Sequence, residues 1–346
     1  MASKIALDFF SDTKTRPTQG MRAAMMAAEV GDEQKGEDPT VIRLCERVAE
    51  LLGQEDAVLL PSGTMCNQIA LALHCRPGDE VICDRTSHIV NSEGGGPAAL
   101  AGVMLRTLDG ERGIFGSEAV AAAVRPASRY VPRSRLLSVE QTNNFGGGSV
   151  WPLATLRAVL AEARKAGLAA HMDGARLLNA VVASGVPARD FAGGFDSAWI
   201  DLTKGLGGPV GAVLAGSRDF IREVWRLKQR LGGAMRQSGF LAAAGLYALD
   251  HHVERLAEDH ANARRLAMGL AGLPGIRLPD APVETNIVFF DVSGTGLTAE
   301  GFVAACGERG LGVGAFGPSS VRMVTHLDVG AADVERALEI IAQIAR

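Results

Sequence analysis

The stretch WIDLTKGLGGPVG, residues 199–211, places a lysine between an apolar run and a string of glycines. A lone lysine usually points into water, so its meaning depends on what surrounds it. The run SAWIDLT (197–203) before it is typical of a buried β-strand, and PVGAVLAG (209–216) after it is typical of a second one. We therefore predict that Lys204 lies at the end of a strand.

Outward from this stretch, short β-type runs alternate with helical ones. Strands that alternate with helices of 8–15 residues indicate βαβ units and a mainly parallel sheet. In such sheets, ligands bind at the carboxyl ends of the strands. The predicted strands are 79–83, 102–108, 135–141 and 168–173, and the predicted helices are 63–75, 117–124 (with Ser117 as its cap) and 153–167.

The pattern changes after residue 240. Alanine- and leucine-rich helices over 240–273 are followed by a strand, a helix, a strand and a final helix. A chain of 346 residues also exceeds the usual limit of about 250–300 residues for one core. We predict an α/β fold with an N-terminal arm (1–20), a large domain (21–240) whose mainly parallel sheet is flanked by helices, and a smaller C-terminal α+β domain (241–346).

Composition excludes several classes of protein. The net charge of -4 gives no basic surface for nucleic acid, and no apolar run reaches the ~18 residues of a membrane span. The N-terminus carries no secretory signal pattern, which predicts a cytoplasmic protein. Five cysteines, with no CxxC pair among them, make a disulfide framework and a metal site unexpected.

Two motifs suggest ligand-binding chemistry beside Lys204. In PSGTMCNQ (61–68), free backbone N–H groups and the Thr64 hydroxyl at a helix start could hold a phosphate, although the tripeptide also suits a plain N-cap. In HMDGAR (171–176), Asp173 follows a buried strand and needs a cationic partner, such as a protonated pyridine nitrogen. The alternative is that Asp173 caps the next helix.

Together with Lys204, these motifs indicate one cofactor. An amine in apolar surroundings is more readily neutral, and a neutral amine attacks an aldehyde to form a Schiff base. A phosphate cradle, a carboxylate for a ring nitrogen and a Schiff-base lysine together predict pyridoxal 5′-phosphate, PLP.

The sequence resembles the L-threonine aldolases of the aspartate-aminotransferase-like PLP fold, fold type I. The resemblance covers nearly the whole chain, in the right order. The matching stretches are SDTKTRPT (11–18), VGDEQKGEDPTV (30–41), LLPSGTMCNQ (59–68), SHIVNSEGGG (87–96), VEQTNNFGGGSVWPL (139–153), HMDGARLLNA (171–180), KGLGGPVGAVLAG (204–216), LGGAMRQSG (231–239) and VRMVTH (321–326).

The resemblance implies roles around the cofactor. Lys204 would form the Schiff base, Asp173 would pair with the pyridinium nitrogen, and His88 would stack on the ring, and these three make up the implied catalytic set. The other implied cofactor contacts are Ser62, Gly63 and Thr64 at the phosphate, Arg176, and Arg236 reaching the phosphate of a neighbouring subunit.

The resemblance also implies that Ser11, Arg176 and Arg322 hold the substrate carboxylate. Chemistry supports such a clamp, because PLP weakens whichever bond at Cα lies perpendicular to its ring. Fixing the carboxylate therefore selects the reaction, and the arginine fork binds a carboxylate through two hydrogen bonds. Arg322 lies in an otherwise apolar strand, where a guanidinium without a partner would be costly.

Two positions depart from the family pattern. Lys35 stands where the family usually has tyrosine, and Asn143 where it usually has a histidine that contacts the substrate β-hydroxyl. Asparagine can hydrogen-bond a hydroxyl but does not titrate near pH 7. The base would then lie elsewhere, with His88 and Glu93 as candidates, or a water would relay the proton. Lys35 would either attract an acidic group on the substrate or point to solvent.

These observations predict PLP-dependent cleavage of L-threonine, L-allo-threonine or related L-β-hydroxy-α-amino acids to glycine and an aldehyde. The alternative enzyme is a β-eliminating lyase that gives ammonia and a keto acid. A non-catalytic binding protein on this scaffold would have no need of Lys204. The expected partners are a small amino-acid substrate and further copies of the chain, in a homodimer or homotetramer with shared sites, and neither nucleic acid nor a membrane.

Overall fold

The computed structural model describes residues 5–345, and its large sheet is mainly parallel as predicted. Within that range, seven strands form this sheet in the order β2-β8-β7-β6-β5-β3-β4. The strands of the chain up to this point are β1 (Leu7–Asp8), β2 (Asp56–Leu60), β3 (Glu80–Asp84), β4 (Met104–Leu108), β5 (Ser134–Glu140), β6 (Ala169–Gly174), β7 (Ser197–Asp201) and β8 (Ala212–Gly216).

One strand of the large sheet runs against the others. β8 pairs antiparallel with both β2 and β7, whereas the remaining pairs are parallel. β2 therefore runs in the same direction as β7, and the carboxyl ends of β2, β5, β6 and β7 meet at one edge. β4 lies at the other side of the sheet, where its side chains are half-buried or exposed.

Helices cover both faces of the sheet and extend to the C-terminus. They are α1 (Gln19–Met26), α2 (Pro39–Leu52), α3 (Gly63–His74), α4 (His88–Asn91), α5 (Ser117–Ala123), α6 (Leu153–Lys165), α7 (Leu177–Ser184), α8 (Ala188–Ala192), α9 (Arg218–Arg230), α10 (Gly239–His251), α11 (Leu256–Ala271), α12 (Ala299–Glu308) and α13 (Ala331–Ile344). The described residues include no helix with both the length and the apolar character needed to cross a bilayer.

The helix boundaries follow local chemistry. The Asp38 side chain accepts hydrogen bonds from the backbone N–H groups of Thr40 and Val41 at the start of α2, and Gly53 ends that helix at φ 67°. The expected serine cap of α5 is wrong: Gly116 occupies the cap position and Ser117 is the first helical residue, so no side chain caps this helix.

The C-terminal part has its own sheet and core. β9 (Ile287–Asp291), β11 (Gly314–Ala315) and β12 (Ser320–Val324) form an antiparallel sheet, and β1 pairs with β10 (Leu311–Gly312). Leu7 and Phe9 belong to this second core. The N-terminal segment is thus anchored to the C-terminal part of the chain, and the proposed boundaries at residues 20 and 240 stay predictions.

Candidate active site

A cavity of about 390 Å³ lies where the carboxyl ends of β5, β6 and β7 meet the first turn of α3. Its volume is within the range of small-molecule sites. It brings together most of the predicted site residues, from segments that span the whole sequence. Those lining it are Ser11, Ser62, Gly63, Thr64, His88, Asp173, Arg176, Lys204 and Arg322.

Lys204 follows β7 and reaches this cavity with an 18% exposed side chain. Its Nζ donates to Asp201 Oδ2 at 2.6 Å and lies 5.7 Å from the centroid of the Trp199 ring. The sequence suggested apolar surroundings for this amine. In the structure a carboxylate holds it instead. Asp201 itself is fixed by hydrogen bonds from the backbone N–H and hydroxyl of Thr203.

Asp173 is the penultimate residue of β6, lines the cavity and is only 3% exposed. It accepts from Asn67 Nδ2 at 2.8 Å and from the Ala175 backbone N–H at 3.0 Å, and no lysine or arginine within residues 5–345 forms an ion pair with it. Burial raises the pKa of this carboxyl above its ordinary value, although His88, Asn67 and Lys204 oppose the shift. A protonated ring nitrogen placed against Asp173 would compensate its charge, so the site fits PLP here.

The first turn of α3 fits a phosphate. Ser62 caps the helix by accepting a hydrogen bond from the Met65 backbone N–H at 3.2 Å. The turn therefore also forms the N-cap that the sequence allowed as its alternative role. Thr64 lines the cavity, and its hydroxyl forms no hydrogen bond with the described residues. A Cβ at Gly63 would overlap the ring of Trp199, so only glycine lets the backbone N–H groups turn toward an anion here.

His88 begins α4 and lies at the cavity rim with its ring partly exposed. Its Nδ1 is 2.8 Å from Glu93 Oε1, and its backbone N–H donates to Glu140 Oε2 at 2.8 Å. Burial disfavours the charged ring, but the hydrogen bond to Glu93 and the Asp173 carboxylate raise the pKa of His88 above its ordinary value. Glu93 is buried behind His88 and does not line the cavity.

The two predicted carboxylate-binding arginines have different surroundings. Arg176 donates from Nε and Nη2 to the two oxygens of Asp12, each at 2.7 Å. Arg176 holds the pKa of Asp12 well below its ordinary value, despite burial. Asp12, a carboxylate of the chain itself, occupies this fork, and the predicted contact of Arg176 with the substrate or the cofactor stays a prediction.

Arg322 has no carboxylate partner in the described part of the chain. Its Nη1 donates to Asn144 Oδ1 at 2.8 Å, its Nη2 to the Phe10 carbonyl at 3.2 Å, and its Nε has no partner. Burial and the nearby Arg176 charge lower the pKa of Arg322 to about 10. The guanidinium lies over the Phe316 ring, 4.2 Å from its centroid, and can receive an anion from the cavity.

Besides Glu93, three predicted residues do not line the cavity. Asn143 is buried in the turn behind its wall, where its Oδ1 accepts from the Gly146 backbone N–H at 2.6 Å. Lys35 and Arg236 are exposed, and Arg236 pairs with Asp32 at 2.8 Å. Within one chain, Asn143, Lys35 and Arg236 therefore lie outside the lining of this cavity, and their predicted roles stay predictions.

Sequence reasoning missed Glu140, which lines the cavity at the end of β5, in register with Asp173. Its two oxygens accept from the backbone N–H groups of His88 and Asn144, at 2.8 and 2.9 Å. Burial, and next the Asp173 charge, raise the pKa of Glu140 to about 7. The signal available was its position, since a polar residue that ends a buried parallel strand faces the ligand edge.

A larger cavity of about 650 Å³ lies beyond Phe145, which lines both spaces. Its walls are mostly apolar and come from α11, the segment 278–289 and the loop around Gly113. It contains none of the predicted site residues, so the chemistry belongs to the smaller cavity.

A mainly parallel sheet with a lysine, a carboxylate and a phosphate cradle around one cavity defines an enzyme of PLP fold type I. Solved structures share this fold. A threonine aldolase from Leishmania major has a TM-score of 0.85 and 23% identity, with 98% of this chain and 100% of that one covered. A serine palmitoyltransferase from S. paucimobilis with bound PLP has a TM-score of 0.75 and 16% identity, with coverage of 98% and 86%.

The chain belongs to the beta-eliminating lyase family, whose model matches residues 8–313. Within that family it is similar to proteins named low-specificity L-threonine aldolases. The one from Arabidopsis thaliana is 40% identical over 343 residues, which is 98% of this chain and 96% of that protein. The one from Escherichia coli K12 is 42% identical over 328 residues, which is 93% and 94%.

Proposed function

We propose that this protein is a PLP-dependent aldolase that cleaves L-threonine, L-allo-threonine and related L-β-hydroxy-α-amino acids to glycine and an aldehyde. The observation that carries the proposal is one cavity lined by Lys204, Asp173 and an arginine without a carboxylate partner, Arg322. The similarity to low-specificity threonine aldolases over nearly the whole chain supports it.

The residues that would hold PLP are Lys204 through its amine, Asp173 opposite the ring nitrogen, and the first turn of α3 at the phosphate. When bound, PLP supplies a conjugated ring that accepts electron density from a bond broken at the substrate Cα. Asp173 favours this acceptor role because its carboxylate keeps the ring nitrogen protonated. Asp201 fixes the Lys204 amine, 2.6 Å from its Oδ2, at the cavity wall.

Arg322 binds the substrate carboxylate with its guanidinium, and Ser11 lies on the same wall. A carboxylate accepts two parallel hydrogen bonds from an arginine fork, which fixes both distance and orientation. Besides its bond to nitrogen, Cα has three bonds that can be broken. Holding the carboxylate in this way sets which of these three is weakened. Arg176 contributes indirectly, because its ion pair with Asp12 anchors the segment that carries Ser11.

The β-hydroxyl proton is taken up by groups other than Asn143. Two groups that line the cavity can accept a proton: Glu140, whose pKa is raised to about 7, and His88, whose pKa is raised above its ordinary value. Glu93 acts through His88, because its Oε1 lies against Nδ1 of that ring. A neutral His88, or an ionised Glu140, can receive this proton.

We also propose a cytoplasmic homodimer or homotetramer with shared active sites. The absence of a membrane-spanning helix among the described residues is compatible with this location. Lys35 and Arg236 are exposed and lie outside their own cavity, where a neighbouring subunit could use them. Sedimentation of the purified protein would give the number of subunits, and a monomer would exclude shared sites.

The direct test is product analysis. Purified protein with added PLP would be incubated with threonine, allo-threonine, phenylserine and 3-hydroxyaspartate, and glycine, aldehyde, ammonia and keto acid would be quantified. We expect glycine and aldehyde in equal amounts. Ammonia and keto acid without glycine would instead establish the lyase reaction.

Two lysine variants give the matched control. Lys204→Ala should lose turnover, whereas Lys165→Ala, on the exposed surface of α6, should keep wild-type rates. Wild-type turnover in Lys204→Ala would refute the proposed chemistry.

A further inference from the structure

Behind Asp173, four polar side chains form a hydrogen-bonded chain between α3 and the large sheet. Asn67 Nδ2 donates to Asp173 Oδ2 at 2.8 Å, and Asn67 Oδ1 lies 3.1 Å from His171 Nε2. His171 Nδ1 is 2.8 Å from Ser197 Oγ, which lies 2.8 Å from Nε2 of the half-buried His74. None of Asn67, His171 and Ser197 is exposed to solvent. Such a buried network is costly unless it is fully satisfied.

The chemistry of its partners fixes the orientation of the Asn67 amide. Nδ2 faces the carboxylates of Asp173 and Glu93, at 2.8 and 2.7 Å, and ionised carboxylates only accept. Oδ1 faces Trp199 Nε1 at 2.8 Å, and an indole nitrogen only donates. Asn67 therefore uses both hydrogens on the two carboxylates and its oxygen on the opposite side.

That orientation determines the position of every other proton in the hydrogen-bonded chain. Because Asn67 Oδ1 accepts, His171 must carry its hydrogen on Nε2, and its Nδ1 must accept from the Ser197 hydroxyl. Ser197 Oγ is then left to accept from His74 Nε2. All four donors point toward Asp173, so each bond polarises the next in the same direction.

At neutral pH the donors of this hydrogen-bonded chain still point toward Asp173. Burial lowers the pKa of His171 to about 3 and the pKa of His74 to about 4. Both rings are therefore neutral above those values, with one N–H each. The titratable groups around Asp173 are His88, Glu93, Glu140 and Lys204, and burial raises the pKa of Glu140 to about 7.

We propose that Asn67 is a positioning residue for the cofactor, acting through Asp173 and through the Glu93–His88 pair at once, with His171 fixing its amide. This inference rests on the proposed PLP-dependent function. One NH₂ group links the carboxylate assigned to the ring nitrogen with the carboxylate that holds the ring-stacking histidine. Replacing Asn67 would leave two buried carboxylates facing each other without that donor, which favours protonation of one of them.

The test compares PLP binding by apo-protein variants with their thermal stability. Asn67→Leu removes the donors at similar volume and should weaken PLP binding about 10- to 100-fold, as expected for a lost hydrogen bond to a charged group. It should also shift the pH dependence of the visible absorbance of bound PLP, because Asp173 controls the ring proton. His171→Leu keeps the Asn67 donors and should shift both quantities in the same direction by a smaller factor.

His260→Leu is the matched control, since His260 is also a buried histidine whose ring lies against an asparagine, Asn179, at 3.2 Å, with a pKa lowered by burial to about 4. It should lower the melting temperature and leave PLP affinity and absorbance unchanged. If Asn67→Leu does not fold, the comparison of His171→Leu with His260→Leu decides the question.

Three outcomes are distinguishable. Wild-type PLP affinity and absorbance in Asn67→Leu, or equal effects of the two histidine variants, would overturn the role of Asn67 while the proposed function stands. If the wild-type protein binds no PLP, the proposed function fails and this inference fails with it. Graded shifts in Asn67→Leu and His171→Leu alone would establish it.

Discussion

The two sides of the active cavity differ in how completely the chain satisfies its buried polar atoms. Around Asp173, the Asn67 amide makes four hydrogen bonds and has no unpaired polar atom, and the unpaired Gln68 Oε1 lies farther from the cavity, on a residue that binds Glu93. Around Arg322, the guanidinium binds only neutral oxygens, and its Nε is without a partner in the described residues. Because buried polar groups are almost always hydrogen-bonded, we infer that the cofactor side is preorganised by the protein and the substrate side is completed by its ligand.

The two arginines express the same contrast within one wall of the cavity. Arg176 belongs to the satisfied side, because Asp12 already occupies its fork and Asn286 also donates to Asp12, at 3.1 Å. Arg322 belongs to the incomplete side. Replacing the first should therefore mainly affect folding, and replacing the second should mainly affect substrate binding.

The largest expected effect is on stability. Arg176→Leu would leave the Asp12 carboxylate buried without its cation, which typically costs about 3–5 kcal/mol. Urea unfolding should show a loss of this size, and the double variant Asp12→Leu/Arg176→Leu should recover part of it, since both charges are gone. If Arg176→Leu were as stable as the wild type, the ion pair with Asp12 would not contribute to folding.

Replacing Arg322 should change kinetics instead. Arg322→Leu should lower kcat/KM by about 10- to 100-fold, because a hydrogen bond to a charged group is worth about 1.5–3 kcal/mol. Arg322→Lys keeps the charge but loses the fork, so its kcat/KM should lie between those of the wild type and of Arg322→Leu. Substrate analogues whose carboxylate is replaced by an alcohol should react equally poorly with all three proteins. Full activity of Arg322→Leu would contradict the inference that the substrate completes the hydrogen bonding of Arg322.

A third effect, on pH-dependent stability, concerns the buried histidines behind the cofactor side. Burial lowers the pKa of His171 to about 3 and that of His74 to about 4, below the value of 6.5 for an unperturbed ring. Between pH 6.5 and 4 the unfolded chain therefore binds protons that the folded chain does not. Stability is fully present above pH 6.5 and should fall by about 1.4 kcal/mol per pH unit for each ring as the pH drops.

Urea unfolding at pH 7, 6 and 5 measures this slope, and His171→Leu should make it shallower. An unchanged slope in that variant would mean that His171 is not neutral in the folded protein.

Much of the fold and of the cofactor side was predictable because the signals are local. Lys204 and Asp173 each follow an apolar run, so both were expected at the ligand edge, and the Ser-Gly-Thr turn at Gly63 was expected to open a helix. The antiparallel direction of β8 was also readable but was not recognised. Only residues 202–211 join β7 to β8, whereas a parallel connection needs a crossover of about a dozen residues or more.

The contacts of the two arginines and of Asn143 were less predictable, because they join distant parts of the sequence or depend on a packed loop. Asp12 and Arg176 are 164 positions apart, and nothing local marks them as a pair. Asn143 was placed on the ligand by analogy, but the tight turn to Gly146 directs its side chain into the backbone. Such orientations depend on the packed loop and not on residue type.

Glu140 gives the smallest predicted effect and probes the boundary between the two sides. Its carboxylate holds the backbone N–H of His88, on the cofactor side, and that of Asn144, the partner of Arg322. Because its pKa is raised to about 7, the fraction able to accept a proton falls as the pH drops below 7. Wild-type kcat/KM should therefore decline on the acid side, with His88 adding to the same limb.

Glu140→Gln should flatten this acid limb and reduce the rate at pH 8 by less than about 10-fold, which is below the usual range for loss of a general base. The modest size is expected because His88 remains to take up the proton. The exposed Glu118→Gln on α5 serves as the control and should keep the wild-type profile. If Glu140→Gln retained the full acid limb, titration of His88 alone would account for it, and Glu140 would serve only to hold the two loops together.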